Sequence, residues 1–145
     1  MSKIALLAIA HGSSSMEHIS TIRLIVESLV ENIRKSIPHI EITAYEIAFM
    51  GKRRGLKSVP EALRELARVS DKILVVPVFL TPGKHVRYDV PREFEVGLDM
   101  CEPCSRVTVN IDGKEVSLLY AAPIGFDPRV VSVLLDRVKE VLKLL

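Results

Sequence analysis

The sequence predicts an α/β domain: a mostly parallel sheet in three layers, with helices on its faces and a C-terminal hairpin. Three observations carry this. Two apolar runs of strand length, Ile4 to Ala10 and Ile73 to Leu80, read as strands buried on both faces. Between and after them, apolar residues recur at three- and four-residue steps, the signature of helices with one buried face. The resulting order, strand then helix repeated, belongs to parallel sheets with crossover connections.

Each element has its own signals. Lys3 and the run Ile4 to Ala10 also fit a short secretory leader ending at Ala8-Ile9-Ala10. Bounded by His11-Gly12, the run is read instead as the first strand. Ile19, Ile22, Val26, Leu29, Val30 and Ile33 space the first helix, which Pro38 closes. Ile40, Ile42 and Ala44 alternate with Glu41 and Thr43, so a half-exposed, edge-type strand is expected through about Phe49. Gly51 to Gly55 is a basic loop. Ser58-Val59-Pro60-Glu61 reads as a capping box with proline at the first helical position. Pro77 is awkward inside the central run, because it donates no ladder hydrogen bond. Residues 92–106 show no period and read as an irregular excursion. Val107 to Ile111, Asp112-Gly113 and Lys114 to Ala122 form a hairpin with a tight turn. Asp127-Pro128 caps a closing helix spaced by Val130, Leu134, Val138, Val141 and Leu145. No repeat or linker interrupts this order, and residues 1–145 are read as a single domain.

Composition narrows the function. The 145 residues hold 20 Lys and Arg against 18 Asp and Glu, a net charge of +2. That is too little for a dedicated nucleic-acid binder, yet it suits an acidic small ligand. Aromatic residues are 5% with no Trp, which argues against a base-stacking surface. No apolar run approaches the roughly 18 residues of a membrane span. Two cysteines give no disulfide framework, and a cytoplasmic setting is expected.

In open α/β sheets, ligands bind beyond the carboxyl ends of the strands. Three loops fall there: His11 to Ser15, Gly51 to Gly55, and Thr81 to His85. Two of the four histidines, His11 and His85, therefore share one edge, and neutral imidazole ligates divalent ions. Either one alone is more readily a hydrogen-bonded structural residue; the pair in glycine-containing loops points to function. His18 and His39 read as surface residues, and at least one of Ser13, Ser14 and Ser15 as a helix cap. Lys52, Arg53, Arg54, Lys84 and Arg87 concentrate positive charge near the same edge, which suits a polycarboxylate or phosphate. Cys101-Glu102-Pro103-Cys104 is one isolated pair. A zinc or iron–sulfur site needs four protein ligands, so a cluster at Cys101 and Cys104 is not expected unless two subunits share it.

These residues also carry a resemblance. His11-Gly12-Ser13 after the first strand is similar to the small, archaeal form of the class II chelatases, the sirohydrochlorin cobaltochelatases that also serve as nickelochelatases. So is the run Val75 to Leu80 followed by Gly83, His85, Asp89 and Pro91. Ala122-Pro123-Ile124-Gly125 resembles the family segment in which glutamate is common at the first position. The resemblance covers nearly the whole chain. It implies ATP-independent insertion of Co²⁺ or Ni²⁺ into sirohydrochlorin for tetrapyrrole biosynthesis, with no cofactor beyond the substrate metal. It implies that His11 is metal ligand and proton acceptor and His85 the second ligand. It implies that Leu80, Thr81, Pro82, Gly83 and Lys84 contact the substrate, and that Lys52 and Arg53 lie by position in a substrate-contacting region, near which some members carry a carboxylate where this chain has Gly51 and Lys52. It also implies a homodimer, with the second subunit as the second wall around a large flat ligand.

The chemistry suits the residue types. Two pyrrole protons leave as the ion enters, imidazole accepts protons near neutral pH, and it binds Co²⁺ and Ni²⁺. Eight substrate carboxylates call for cations at the rim. Two other readings stay open: a flavodoxin-like module holding a metal or a phosphate at the first loop and next helix, and a metal carrier using the same histidines. The pattern is too poor in glycine for a P-loop or dinucleotide fingerprint.

Overall fold

The computed structural model describes residues 1–51, 55–78, 80 and 105–145. Within them lie β1 (Ser2–His11), α1 (Met16–Ser36), β2 (Ile40–Met50), α2 (Val59–Ala67), β3 (Lys72–Pro77), β4 (Ser105–Ile111), β5 (Lys114–Tyr120) and α3 (Pro128–Leu142). The five strands form one sheet in the order β2-β1-β3-β5-β4. All neighbours are parallel except the hairpin pair β4 and β5.

β1 lies inside the sheet and is buried on both sides, as a continuous apolar run requires. Ile4, Leu6, Ala8 and Ala10 face α1, packing against Ile19, Ile22, Val26 and Val30. Ala5, Leu7 and Ile9 face the opposite side, against Leu63, Leu66 and Ala67 of α2. The alternation expected across Ile40, Ile42 and Ala44 breaks, however. The β1–β2 register slips between Ile4 and Ala5, placing Thr43 as an extra residue. A one-residue slip flips the following side chains, so Ile42 packs on the α1 side and Ala44 on the α2 side.

Pro77 is accommodated because it ends β3. The β3–β5 ladder stops at Val75 opposite Tyr120, and Val78 supplies the next donor, to the Ile9 carbonyl at 2.8 Å. The central strand is therefore shorter than the apolar run to Leu80. The hairpin starts two residues earlier than its pattern suggested, at Ser105; the rest of the expected excursion, 92–104, lies outside the described residues. Asp112 and Gly113 both have positive φ, 51° and 85°, the geometry of a two-residue type I′ turn.

Ser58 caps α2 reciprocally. Its hydroxyl accepts from the Glu61 amide and the Glu61 carboxylate accepts from the Ser58 amide, both at 3.3 Å. Pro60 is the second helical residue rather than the first. Ser58→Ala should cost about 1 kcal/mol, read as a lower denaturant midpoint with an unchanged slope. Lys57, just before the cap, bridges Glu46 at 2.9 Å and Glu65 at 2.6 Å, tying β2 to α2. These bonds hold the Lys57 ammonium above its ordinary pKa and the Glu65 carboxyl below its own.

α3 departs from expectation. Asp127 caps it as read, its carboxylate accepting from the Arg129 amide at 2.8 Å. The closing helix nevertheless buries none of its side chains, and among the described residues the helical members of the two core clusters come from α1 and α2.

Candidate metal and macrocycle edge

β1, β3 and β5 run parallel, so their carboxyl ends share one edge of the sheet, joined there by β2. Backbone hydrogen bonds stitch the loops of that edge together. Gly12 donates to the Met50 carbonyl at 3.0 Å, linking the loop after β1 to the loop after β2. Val78 bonds Ile9, and Gly125 donates to the Leu80 carbonyl at 2.5 Å, which brings the segment after β5 against the loop after β3.

His11 is the last residue of β1, opposite Met50, and its side chain is exposed. It shares the strand parity of Leu7 and Ile9, so its Cβ leaves the sheet on the α2 side. The chain then turns at once into α1. Ser13 Oγ accepts from the Ser15 amide at 3.0 Å, and Ser15 caps the helix by accepting from the His18 amide at 3.3 Å. One of the three serines therefore serves as the expected cap. The short serine loop holds His11 where the strand ends.

His18 is not the detached surface residue the sequence suggested. It is half-buried, and its Nε2 lies 3.1 Å from the His11 carbonyl, donating in the tautomer protonated there. It stands three residues past the cap, which folds its ring back over the first turn of α1. His39 is exposed, as expected.

Leu80 is 59% exposed at this edge, and the structure adds Ile124 (49%) and Phe126 (89%) from the segment after β5. Sequence reading missed Phe126 because no periodicity covers a residue between a strand and a helix cap. Of the other predicted site residues, His85, Lys52, Arg53, Thr81, Pro82, Gly83 and Lys84 lie outside the described residues, as do Cys101 and Cys104. The ends of the basic loop are placed: Gly51 and Gly55 have φ of 83° and 82°, and Phe49 donates to the Lys57 carbonyl at 3.0 Å. The loop thus leaves the sheet beside His11, and the chain returns at Lys57 along the edge of β2 that faces away from β1. Among the described residues, no three His, Cys, Asp or Glu side chains are grouped to hold a metal ion. None of their helices is long and apolar enough to cross a membrane.

Residues 5–141 match the model of the CbiX family. A sirohydrochlorin cobaltochelatase of Methanothermobacter thermautotrophicus is 30% identical over 146 residues, covering 94% of this chain and 92% of that one. A cobalamin (vitamin B12) biosynthesis CbiX protein from Marinobacter aquaeolei VT8 is 28% identical, with a TM-score of 0.58, over 97% of this chain and 98% of its own. The sirohydrochlorin chelatase SirB of Bacillus subtilis, solved in complex with cobalt, shares the fold with a TM-score of 0.61 at 22% identity. This chain spans 97% of itself but 51% of SirB.

Proposed function

This chain belongs to the CbiX family, and on that premise we propose that it inserts a divalent metal ion into sirohydrochlorin without ATP. The observation that carries the reading is the near-full-length match to chains named sirohydrochlorin cobaltochelatase. Co²⁺ is the proposed ion, with Ni²⁺ as the second candidate, and the metal is substrate rather than resident cofactor. The architecture supports this. A solvent-facing imidazole stands at the sheet edge where the loops after three strands meet.

His11 is the proposed first metal ligand and acceptor of a pyrrole proton, with His85 as second ligand. An imidazole binds such an ion and then releases it to four macrocycle nitrogens. Leu80, Ile124 and Phe126 offer apolar surface for the flat ring. Thr81, Pro82, Gly83 and Lys84 complete the same proposed contact, and Lys52 and Arg53 meet the carboxylate rim.

One edge gives one wall. The longer SirB chain has room for a second lobe, which supports a homodimer whose two subunits enclose the macrocycle. The cytoplasmic setting expected from a chain with two cysteines and no disulfide framework belongs to the same proposal. Incubation of sirohydrochlorin and Co²⁺ with protein at about a hundredth of the substrate concentration tests the activity. Many equivalents of metallated product per subunit above a protein-free control at the same time point, identified by mass, are expected; one equivalent or fewer above that control contradicts catalysis.

The basic loop is expected to act on the tetrapyrrole. Replacing Lys52, Arg53 and Arg54 together with alanine should raise KM for sirohydrochlorin roughly tenfold while leaving the Co²⁺ dependence unchanged. Each charge-assisted contact contributes about 1–3 kcal/mol when desolvated and much less when exposed. An unchanged KM and salt dependence would return the loop to solvent.

A further inference from the structure

The peptide group that joins His11 to Gly12 is held at both of its ends. Its N–H, on Gly12, donates to the Met50 carbonyl of β2 at 3.0 Å. Its carbonyl, on His11, lies 3.1 Å from Nε2 of His18. A carbonyl oxygen only accepts, so Nε2 carries the hydrogen of this bond. The N–H and C=O of a trans peptide point to opposite sides of one rigid plane. A single bond to β2 leaves that plane free to swing about the bond. The second bond, on the far side, stops the swing. The ladder to β2 runs on through His11 opposite Met50, which steadies the peptide before it. With the planes on both sides of its Cα fixed, the direction in which the His11 Cβ leaves the strand is fixed too.

His18 is well placed to act as such an anchor. Its own amide donates to Ser15 Oγ at 3.3 Å, and the Ser15 amide donates to Ser13 Oγ at 3.0 Å. The Ile19 amide donates to the Ser15 carbonyl at 3.2 Å, and the Ile19 side chain is buried in the α1-side core. His18 thus rides on a helical turn rooted in the core. Gly12 and the three serines between bring no apolar side chain to anchor the turn themselves.

We propose that His18 is a positioning residue for metal capture. By donating to the His11 carbonyl, it fixes the backbone from which the first metal-ligating imidazole projects. This rests on the role proposed for His11 above and deepens it. A ligand aimed in advance loses less freedom when the ion arrives, so the ion binds more tightly. Groups that orient a metal ligand typically contribute about 10–100-fold in affinity. A bond to the ligand's backbone rather than to its ring belongs at the lower end of that range.

The test is calorimetric titration of Co²⁺ into the full chain without tetrapyrrole, following the binding step that His11→Ala weakens. His18→Leu keeps the bulk and removes the donor. His18→Gln places an amide N–H the same number of bonds from Cα as Nε2. His18→Asn stops one bond short. His18→Leu and His18→Asn should each raise Kd about tenfold with the fold retained by circular dichroism, and His18→Gln should stay within about twofold of the parent. In the His11→Ala background, His18→Leu should add nothing further. An unchanged Kd in folded His18→Leu and His18→Asn would overturn the positioning role. A loss that His18→Gln does not restore, or one that persists without His11, would overturn it in favour of direct ligation by His18. No binding step weakened by His11→Ala would overturn it together with the ligand assignment beneath it. The expected pattern of Kd values with no metallation of sirohydrochlorin would uphold the positioning and overturn the chelatase reading alone.

Discussion

His11→Ala lowers the rate of metal insertion by about a hundredfold or more, with the fold intact. The estimate follows from what a positioned proton acceptor contributes, about 10²–10⁴-fold, before any loss of metal affinity is added. The stability side is small because the side chain is exposed, and such substitutions typically fall within about 0.5 kcal/mol. His18 bonds the His11 backbone carbonyl, which the substitution keeps. His85→Ala should produce a comparable loss, steepest at low metal concentration. Circular dichroism and initial rates on the same samples check both. Normal turnover by His11→Ala at low Co²⁺ would remove it from the metal path, and loss of activity with unfolding would make it a structural residue.

The largest expected effect on stability lies in β1. Leu7→Ala should cost about 2–5 kcal/mol, a large share of the roughly 5–15 kcal/mol that holds a domain together. Leu7 is fully buried between the sheet and α2, with Leu63 and Leu66 in the same cluster. Strands pair with β1 on both sides, which limits how far the cavity can collapse. The denaturant midpoint should fall with the slope unchanged. A loss under about 1 kcal/mol would mean the site repacks freely, contrary to a tightly paired central strand.

Much of this was legible in the chain, for reasons that are local. Ser58 and Glu61 announce α2 because a capping box satisfies its donors within four residues. Asp112-Gly113 announces the hairpin because both positions need positive φ. His11 was placed at the sheet edge by strand length and the glycine that follows it. What escaped depends on partners distant in sequence. The bulge at Thr43 reflects pairing with Ile4, which no periodicity within β2 reveals. His18 reads as a surface helix residue until the turn at Ser13 to Ser15 brings it back to His11. The pattern of α3 correctly gave a helix with an apolar face, but periodicity says nothing of what covers that face. Phe126 follows Gly125, whose bond to Leu80, 45 positions away in the chain, no local pattern announces.

The account stands on catalysis at this edge, and the visible spectrum of sirohydrochlorin reads it directly. Co²⁺ is titrated into the free tetrapyrrole with and without a catalytic amount of the protein, and the rate of the spectral change on metallation is followed. The protein should accelerate that change in proportion to its concentration and leave the final spectrum the same as in its absence. Binding of the tetrapyrrole or the metal with no acceleration over the protein-free rate would contradict the account and identify a binding module or metal carrier.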